Sequence, residues 1–302
     1  MTRLQSNLLL LFVALIWGSA FVAQNRGMAD VGPMLFTGIR FLIGSAVVAP
    51  LAWLEWRRLA REGRPLVRLD GLHILGLGVL MTLGAAMQQI GIQTTSVTNA
   101  GFLTALYVPL VPVLAWLLLR HLAHWSVWPA ALGCLIGAYL LSGAHHLSLA
   151  LGDLWVIGSA IPWALHVLTV GRWADRMGAP FLVAWGQFVV CGLISLAVAL
   201  LTEPLHWASI QAAAVPILYA GVLSVGVAFT AQVVAQRYAH AADAAIILSA
   251  ETLFAAAFGA LLLGERLGAA GWAGAGLMLA GILLVQLAPL VARLRQPLST
   301  PI

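Results

Sequence analysis

The 302-residue chain contains no lysine; its basic side chains are fifteen arginines. That absence removes the phosphate-cradling Gly-x4-Gly-Lys-Ser/Thr loop, and with it ATP hydrolysis of that type. Charge of either sign is scarce: Asp, Glu, Lys and Arg make up 8% of the chain, against roughly 25% in a soluble domain. There are two cysteines, Cys134 and Cys191, both inside apolar stretches, so no disulfide framework is implied and they read as small packing residues. Neither a Gly-x-Ser-x-Gly elbow nor a His-Glu-x-x-His helix occurs, which argues against an intramembrane hydrolase. The loop histidines His121, His124, His145 and His146 have no Cys or carboxylate at ligand spacing, so no metal site is expected. The sequence points to a non-enzyme without a cofactor.

What the chain has instead is apolar length. It is 62% hydrophobic with a mean hydropathy of +0.99. A hydrocarbon core about 30 Å thick takes roughly 20 helical residues to cross. Ten stretches qualify: Leu8–Ala23, Met34–Leu54, Leu72–Ile92, Val97–Leu119, Ser126–Leu141, Asp153–Val170, Pro180–Leu201, Ala213–Gln236, Asp243–Leu263 and Ala269–Leu287. The first, fifth and sixth are short and would need little tilt or a thinned bilayer. No stretch between them is long enough to build a soluble domain. The expected fold is an all-α polytopic membrane protein with ten transmembrane helices. With nine further spans behind it, Leu8–Ala23 reads as an uncleaved first helix rather than a signal peptide.

The arginines are placed on alternate sides. With the N-terminus inside, the inner side holds Arg3, Arg57, Arg58, Arg61, Arg64, Arg68, Arg120, Arg172, Arg176, Arg237, Arg293 and Arg295, against Arg26 and Arg266 outside. Arg40 falls within span two. This asymmetry predicts cytoplasmic termini at both ends and an even number of spans. The net charge of +5 therefore sets topology and touches anionic lipid headgroups; it does not mark a nucleic-acid binder. Trp53, Trp56, Trp125 and Trp207 sit where an interfacial aromatic belt is expected.

The second half echoes the first. Trp17 recurs as Trp163, 146 residues on, and Pro33 as Pro180. Gln89 and Gln93 recur as Gln232 and Gln236, each 143 on; Leu117–Leu119, Trp128 and Gly137 recur as Leu261–Leu263, Trp272 and Gly281, each 144 on. Five spans is an odd number, so the second copy enters from the opposite face. That is an inverted-topology repeat, in which a site is expected near the midplane between the copies. The boundaries read as 1–145 and 146–302.

These residues carry a resemblance. Leu15-Ile16-Trp17-Gly18-Ser19-Ala20-Phe21, Gln89-Ile90-Gly91-Ile92-Gln93-Thr94-Thr95-Ser96, Asn99-Ala100-Gly101-Phe102-Leu103-Thr104 and Leu106-Tyr107-Val108-Pro109-Leu110-Val111-Pro112 look like motifs of the EamA-type branch of the drug/metabolite transporter superfamily. In the second copy so do Gly152-Asp153-Leu154, Trp163-Ala164-Leu165, Ala250-Glu251-Thr252-Leu253-Phe254-Ala255 and Leu263-Gly264-Glu265-Arg266-Leu267. There are two departures. Thr252 occupies the position after the glutamate where the family usually has proline, which puts a kink there in doubt, and the Gly-Glu ending of helix nine has no partner in helix four, which ends Arg120-His121. The resemblance covers essentially the whole chain. It implies a secondary carrier of the bacterial cytoplasmic (inner) membrane, often an exporter of amino acids or related metabolites.

Ionisable groups in hydrocarbon cost at least a few kcal/mol and each needs a reason. Glu251 lies about eight residues along its helix, ~12 Å deep at the helical rise. It reads either as a hydrogen-bonded packing group or, the favoured reading, as a partner for a substrate ammonium or a carrier of a proton. Arg40, about one and a half turns from the outer end of helix two, can snorkel or pair a carboxylate bidentately. Gln89 and Gln232 are expected to line a pathway, with interhelical hydrogen bonding as the simpler role. Tyr107 stands in helix four where Glu251 stands in helix nine. Trp17 and Trp163 can wall a cavity or simply pack, and His166 can relay protons or sit satisfied in the core. Ser96, Thr98, Asn99 and Asp243 are expected as helix caps, and Glu265 as a cap or loop residue. Pairs of small residues, Gly133 with Gly137 and Gly276 with Ala280, are expected to let helices approach.

The sequence reading is a carrier of a small amphipathic metabolite, such as an amino acid, exported by alternating access through a central cavity. Its partners would be that solute and the lipid bilayer, with no nucleic acid; a homodimer is compatible with it. The rival readings are a lipid or lipid-precursor flippase, which would want a lateral opening to the bilayer, and a non-transporting scaffold or sensor with sealed apolar interfaces.

Overall fold

The computed structural model describes residues 1–95, 97–141, 150–263 and 266–294. They form ten helices across a bilayer-sized slab: helix one, Arg3–Gly27; two, Pro33–Arg61; three, Arg68–Ile92; four, in two pieces, Val97–Thr104 and Tyr107–Leu119; five, Val127–Leu141. The second set is helix six, Leu151–Met177; seven, Pro180–Thr202; eight, Ala214–Gln236; nine, in two pieces, Ala241–Leu248 and Ala250–Leu263; and ten, Ala269–Leu294. Nine of these are long and apolar enough to cross a membrane. The 15 described residues of helix five span about 22 Å at 1.5 Å per residue.

Helices one and six are not short. They have 25 and 27 residues because capping carries them past the hydrocarbon edge. The Thr2 hydroxyl accepts from the Gln5 N–H at 3.2 Å while the Gln5 side chain accepts from the Thr2 N–H at 2.8 Å, a capping box that satisfies otherwise orphaned donors. In the first turn of helix six the Asp153 carboxylate accepts from the N–H of Ala150, the residue before the helix, at 2.9 Å. The arginine cluster is likewise mostly helical. Arg57, Arg58 and Arg61 ride the last turns of helix two, and Arg68 opens helix three. The Arg57 guanidinium lies 4.6 Å over the Trp53 ring, an aromatic and a cation at one interfacial level.

The broadest contacts all run between the halves: two with seven, five with ten, three with six and one with nine, followed by two with eight, seven with three, four with six and one with eight. These come in matched pairs under exchange of the repeats. One–nine mirrors six–four, two–eight mirrors seven–three, one–eight mirrors six–three, while two–seven and five–ten map onto themselves. The fold is two interlocked, inverted five-helix repeats.

Small residues set the closest approaches. A Cβ at Gly18 would fall 2.8 Å from the Glu251 carbonyl oxygen and 2.4 Å from the Phe254 Cβ, so the glycine of the Trp-Gly-Ser run lets helix one cross helix nine at its interruption. On helices five and ten the close pair is Gly137 with Gly274, each facing the other's carbonyl. Gly276 has no atom within 4 Å of an added Cβ, and Gly133 makes only ordinary contact with Leu277. The expected small-residue faces are thus correct for helix five at Gly137 and displaced by two residues on helix ten.

Helices two and seven are tied at both ends. Both open with proline at the first turn, where its missing N–H costs nothing. The remaining free amides meet carboxylates: Glu203 accepts from the Met34 and Leu35 N–H groups, each at 2.8 Å, and Glu55 accepts from the Leu182 N–H at 3.0 Å. Charged acceptors at a helix N-terminus answer both the orphan donors and the dipole.

Candidate functional site

Helices four and nine are broken at places 144 residues apart, the spacing of the repeat. In helix four the ladder shifts at Ala105–Leu106: the Leu106 N–H reaches the Leu103 carbonyl at 3.3 Å and the Val108 N–H the Ala105 carbonyl at 3.0 Å. Pro109 has no N–H to continue the regular pattern onto Ala105. Helix nine breaks at Ser249, two residues before Glu251, with no proline. There the Ser249 hydroxyl donates to the Ile246 carbonyl at 2.6 Å and the Thr252 N–H to the Ser249 carbonyl at 3.0 Å. Such local side-chain bonding competes with the helical ladder, so helix nine is interrupted here without a proline. Thr252 instead ties the two broken helices together, its hydroxyl donating to the Gly101 carbonyl of helix four at 3.2 Å. In return the Tyr107 hydroxyl faces the Ala245 carbonyl of helix nine at 3.5 Å. Ala245 is the counterpart of Gly101, 144 on.

Helix eight contributes a third irregularity. Ala220–Phe229 is π-helical, a wider winding that frees carbonyls and is common at functional sites. The Ser224 carbonyl accepts from the Trp17 indole N–H at 3.4 Å.

These three irregular segments and helices one, two, three and six line a partly open central cavity. Trp17, Phe21, Trp163 and Phe229 give it aromatic walls. The Phe229 ring centroid is 4.5 Å from that of Trp17 and 5.7 Å from that of Trp163, stacked in the second case. Gln24, Gln88 and Gln232 supply amides, Thr104, Tyr107 and Ser224 hydroxyl-bearing side chains, Arg40 and Glu251 ionisable groups, and Val167 one aliphatic patch.

Arg40 does not snorkel. It is 3% exposed, held by a hydrogen bond to the Gln24 amide oxygen at 2.7 Å and by the rings of Phe41 and Phe36, at 5.2 and 5.6 Å. Glu251 is 5% exposed and takes no hydrogen bond or ion pair from any described residue. The Gln88 amide donates to the Thr104 hydroxyl at 2.8 Å.

Of the residues picked out in the sequence, the structure gathers Trp17, Arg40, Tyr107, Trp163, Gln232 and Glu251 into this one wall. Gln89 and His166 lie outside it. Gln89 is fully buried with its amide on the Met28 sulfur at 2.8 Å. His166 is fully buried against the Gln187 amide oxygen at 2.9 Å, behind Trp163, whose ring it meets edge-on at 6.0 Å. The neighbour Gln88 faces the cavity instead, and the sequence holds a signal for it. Offset by 144, as in helices five and ten, Gln232 pairs with Gln88 rather than Gln89. Gln24, Phe21, Ser224 and Phe229 carry no such signal.

A second, larger space opens at the face bearing the N-terminus and meets the central cavity at Val167. It is lined by Arg3, Arg172, Asp175, Arg237, Asp243 and the histidines His121, His124 and His240. Its mouth is clasped by an ion pair between Arg3 and Asp243 at 2.8 Å. A matching clasp stands at the far face, where Asp153 accepts from Thr95 at 2.6 Å and Asn99 at 2.7 Å. Asn99 and Asp243 are repeat counterparts, each at the start of its broken helix. Ser96, the His145–His146 loop and Glu265 lie outside the described residues. Among the described residues no three His, Cys, Asp or Glu side chains stand together as a metal site.

Residues 4–143 and 150–287 each match the model of the EamA-like transporter family. An uncharacterized transporter of Archaeoglobus fulgidus is 28% identical over 286 residues, covering 94% of this chain and 87% of its own. The threonine/homoserine exporter RhtA of Salmonella typhimurium is 27% identical over 245 residues, 78% of this chain and 76% of its own. A solved crystal structure superposes with a TM-score of 0.77 at 19% identity, over 97% of this chain and 99% of that one.

Proposed function

We propose that this chain, which belongs to the EamA-like transporter family, is a secondary carrier that exports a small amphipathic metabolite, such as an amino acid, through its central cavity by alternating access. The observation that carries the reading is Glu251: a buried carboxyl with no hydrogen-bond or ion-pair partner among the described residues, beside a helix break, in the wall of the central cavity. A carboxyl at membrane depth is tolerated where it meets water, a partner or a solute, and broken helices at the interface of inverted repeats supply such a place. The name of the Salmonella relative supports an amino acid as cargo and export as the direction. Repeats spanning 1–145 and 146–302 would rock against each other, with the clasps Arg3–Asp243 and Asn99–Asp153 opening in turn. The arginine asymmetry supports cytoplasmic termini in a bacterial inner membrane, which makes the large vestibule the cytoplasmic mouth. Trp17, Arg40, Tyr107, Trp163, Gln232 and Glu251 would contact the solute, with Gln89 and His166 positioned behind them.

The experiment is counterflow in liposomes. Purified protein is reconstituted, loaded with one unlabelled amino acid at a time and offered the same labelled solute outside. Transient accumulation above equilibrium, lost in Glu251→Gln, is the expected result. Equal leak in protein-containing and empty liposomes for every solute tried would sink the carrier reading.

A further inference from the structure

The vestibule at the N-terminal face holds three histidines to which the carrier reading gives no role. His121 stands just past the end of helix four, and His240 is the residue before helix nine. Their imidazoles lie nearly parallel, with centroids 6.0 Å apart and ring planes 23° from each other, so they join the ends of the two broken helices across the mouth. Both are exposed and exchange protons with the bulk phase. Beside them is the clasp, where Arg3 meets Asp243 at 2.8 Å. His240 and His124 act electrostatically on that same carboxylate, and His124 shares a hydrogen bond with the Ser126 hydroxyl at 2.8 Å.

Every element around the mouth brings charge to it. Helix one supplies Arg3, and the link between helices four and five supplies His121 and His124. Helix six supplies Arg172 and Asp175, the end of helix eight Arg237, and the start of helix nine His240 and Asp243. Arg237 is turned to Asp175 at 3.5 Å. With neutral histidines, three arginines face two aspartates; with charged histidines, six cations face the same two. The first proton on the stacked pair is tolerated, because an imidazolium is attracted to the face of a neutral ring. The second sets like charges face to face.

We propose that this histidine cluster is a pH-sensitive latch on the vestibule mouth, shut while the His121–His240 pair holds at most one proton and released when it holds two. The inference rests on the carrier reading only in taking the space for a mouth. Histidine is the side chain whose charge ordinarily changes between pH 5 and 8, so the latch opens as the pH on this side falls through that range and shuts as it rises. The sign follows from two effects of the added charge. His121 and His240 repel across the stack, which separates the start of helix nine from the end of helix four. His240 and His124 become rivals of Arg3 for the Asp243 carboxylate, which loosens the clasp to helix one.

The test measures access and needs no solute, so its failure and a failure of counterflow are independent results. Purified full-length protein carries Val167→Cys, where the vestibule meets the central cavity, with Cys134 and Cys191 replaced by alanine. Its labelling by a water-soluble maleimide is timed in detergent from about pH 8 down to about pH 5. A thiol's own reactivity changes with pH. Each rate is therefore divided by that of the same thiol in His121→Phe/His240→Phe, whose rings stack but do not ionise. The ratio should rise about threefold on acidification, the scale of one exposed charge pair, and more steeply than a one-proton curve, since two coupled protons are required. His121→Gln or His240→Gln alone should flatten it. These single variants serve as the reference if the double variant does not elute as one species on gel filtration. A flat ratio overturns the inference. So does a ratio that falls on acidification, which would make the charged cluster a tighter clasp. A rise that persists in both single variants overturns it as well, because the sensor would then lie elsewhere.

Discussion

Glu55 and Glu203 hold each other's helices from opposite faces of the membrane. Glu55, near the end of helix two, accepts from the first turn of helix seven, and Glu203, which ends helix seven, accepts from the first turn of helix two. They are 148 residues apart in sequence, and each belongs to one repeat while capping a helix of the other. The pair makes the most extensive interface in the molecule antiparallel and fixes its register at both ends.

Removing either carboxylate is therefore expected to cost stability with little effect on solute choice. Glu203→Ala leaves two amide donors without their acceptor, and a lost cap of this kind costs about 0.5–2 kcal/mol. Glu55→Ala should cost somewhat less, since it releases the Leu182 amide from a partly exposed surface. The two sites are far apart, so the double variant should show nearly additive losses. Thermal unfolding in detergent measures all three; strong coupling in the double variant would count against independent caps.

Gly18→Val is expected to be more damaging than either. Its Cβ would meet Phe254 and the backbone of helix nine at under 3 Å, and overpacking of that order costs typically about 1–3 kcal/mol. Because the clash falls on the Glu251 carbonyl, transport should fall further than folded yield. Flux normalised to folded protein gives the comparison.

The hydropathy of this chain shows how far sequence reasoning reaches. Ten spans, their order and the odd-numbered repeat follow from runs of apolar residues, because hydrocarbon admits little else. Helix ends differ from the apolar runs where polar caps such as Thr2–Gln5 extend a helix beyond them. The interruption at Ser249 is not legible from pattern, since Ser249 and Thr252 are ordinary in membrane helices and act only through the carbonyls they find, whereas the one at Ala105–Leu106 is marked in the sequence by Pro109. Glu251 is visible because a carboxylate in hydrocarbon stands out. Gln88 is told from Gln89 only by the 144-residue offset that pairs it with Gln232, because the rotation of helix three, about 100° per residue, is not set by composition. Arg40 lies close enough to an edge to snorkel; Phe36, Phe41 and Gln24 keep it inside.

The clasp at the terminal face should behave as a gate. In a background with Cys134 and Cys191 replaced by alanine, Val167→Cys places a single thiol where the vestibule meets the central cavity. Arg3→Gln weakens the 2.8 Å pair with Asp243 and is expected to speed labelling of that thiol by a water-soluble maleimide several-fold. A partly exposed pair is worth about 1 kcal/mol, which sets the scale of the change. Labelling that is unaffected by Arg3→Gln but raised by Asn99→Ala would reverse the assignment of the two gates.

Threading is checked the same way. Cysteine introduced at Arg61 should resist an impermeant reagent in intact cells, while cysteine at His145 should react. The opposite pattern would invert the orientation inferred from the arginines.

Glu251→Gln distinguishes coupling from recognition. The amide keeps the shape and can still accept one hydrogen bond, yet it neither ionises nor carries a proton. If Glu251 couples protons, the variant should retain exchange of solute for solute while losing dependence on a pH gradient. If it recognises the solute, exchange and binding should fall together. A folded variant that transports like wild type at every pH would assign Glu251 to packing alone.

Every broad helix contact in this protein joins one repeat to the other, and that has a consequence during synthesis. When the ribosome has delivered helices one to five, the surfaces that helices one, two and three will present to their partners face lipid, and the Met34 and Leu35 amides await a carboxylate still to be translated. The nascent first half must persist as loosely associated spans until helix seven enters beside helix two. Maturation is thus a late, concerted zipping of two inserted halves, and the window before it closes is when membrane proteases and insertion chaperones have their chance at the chain.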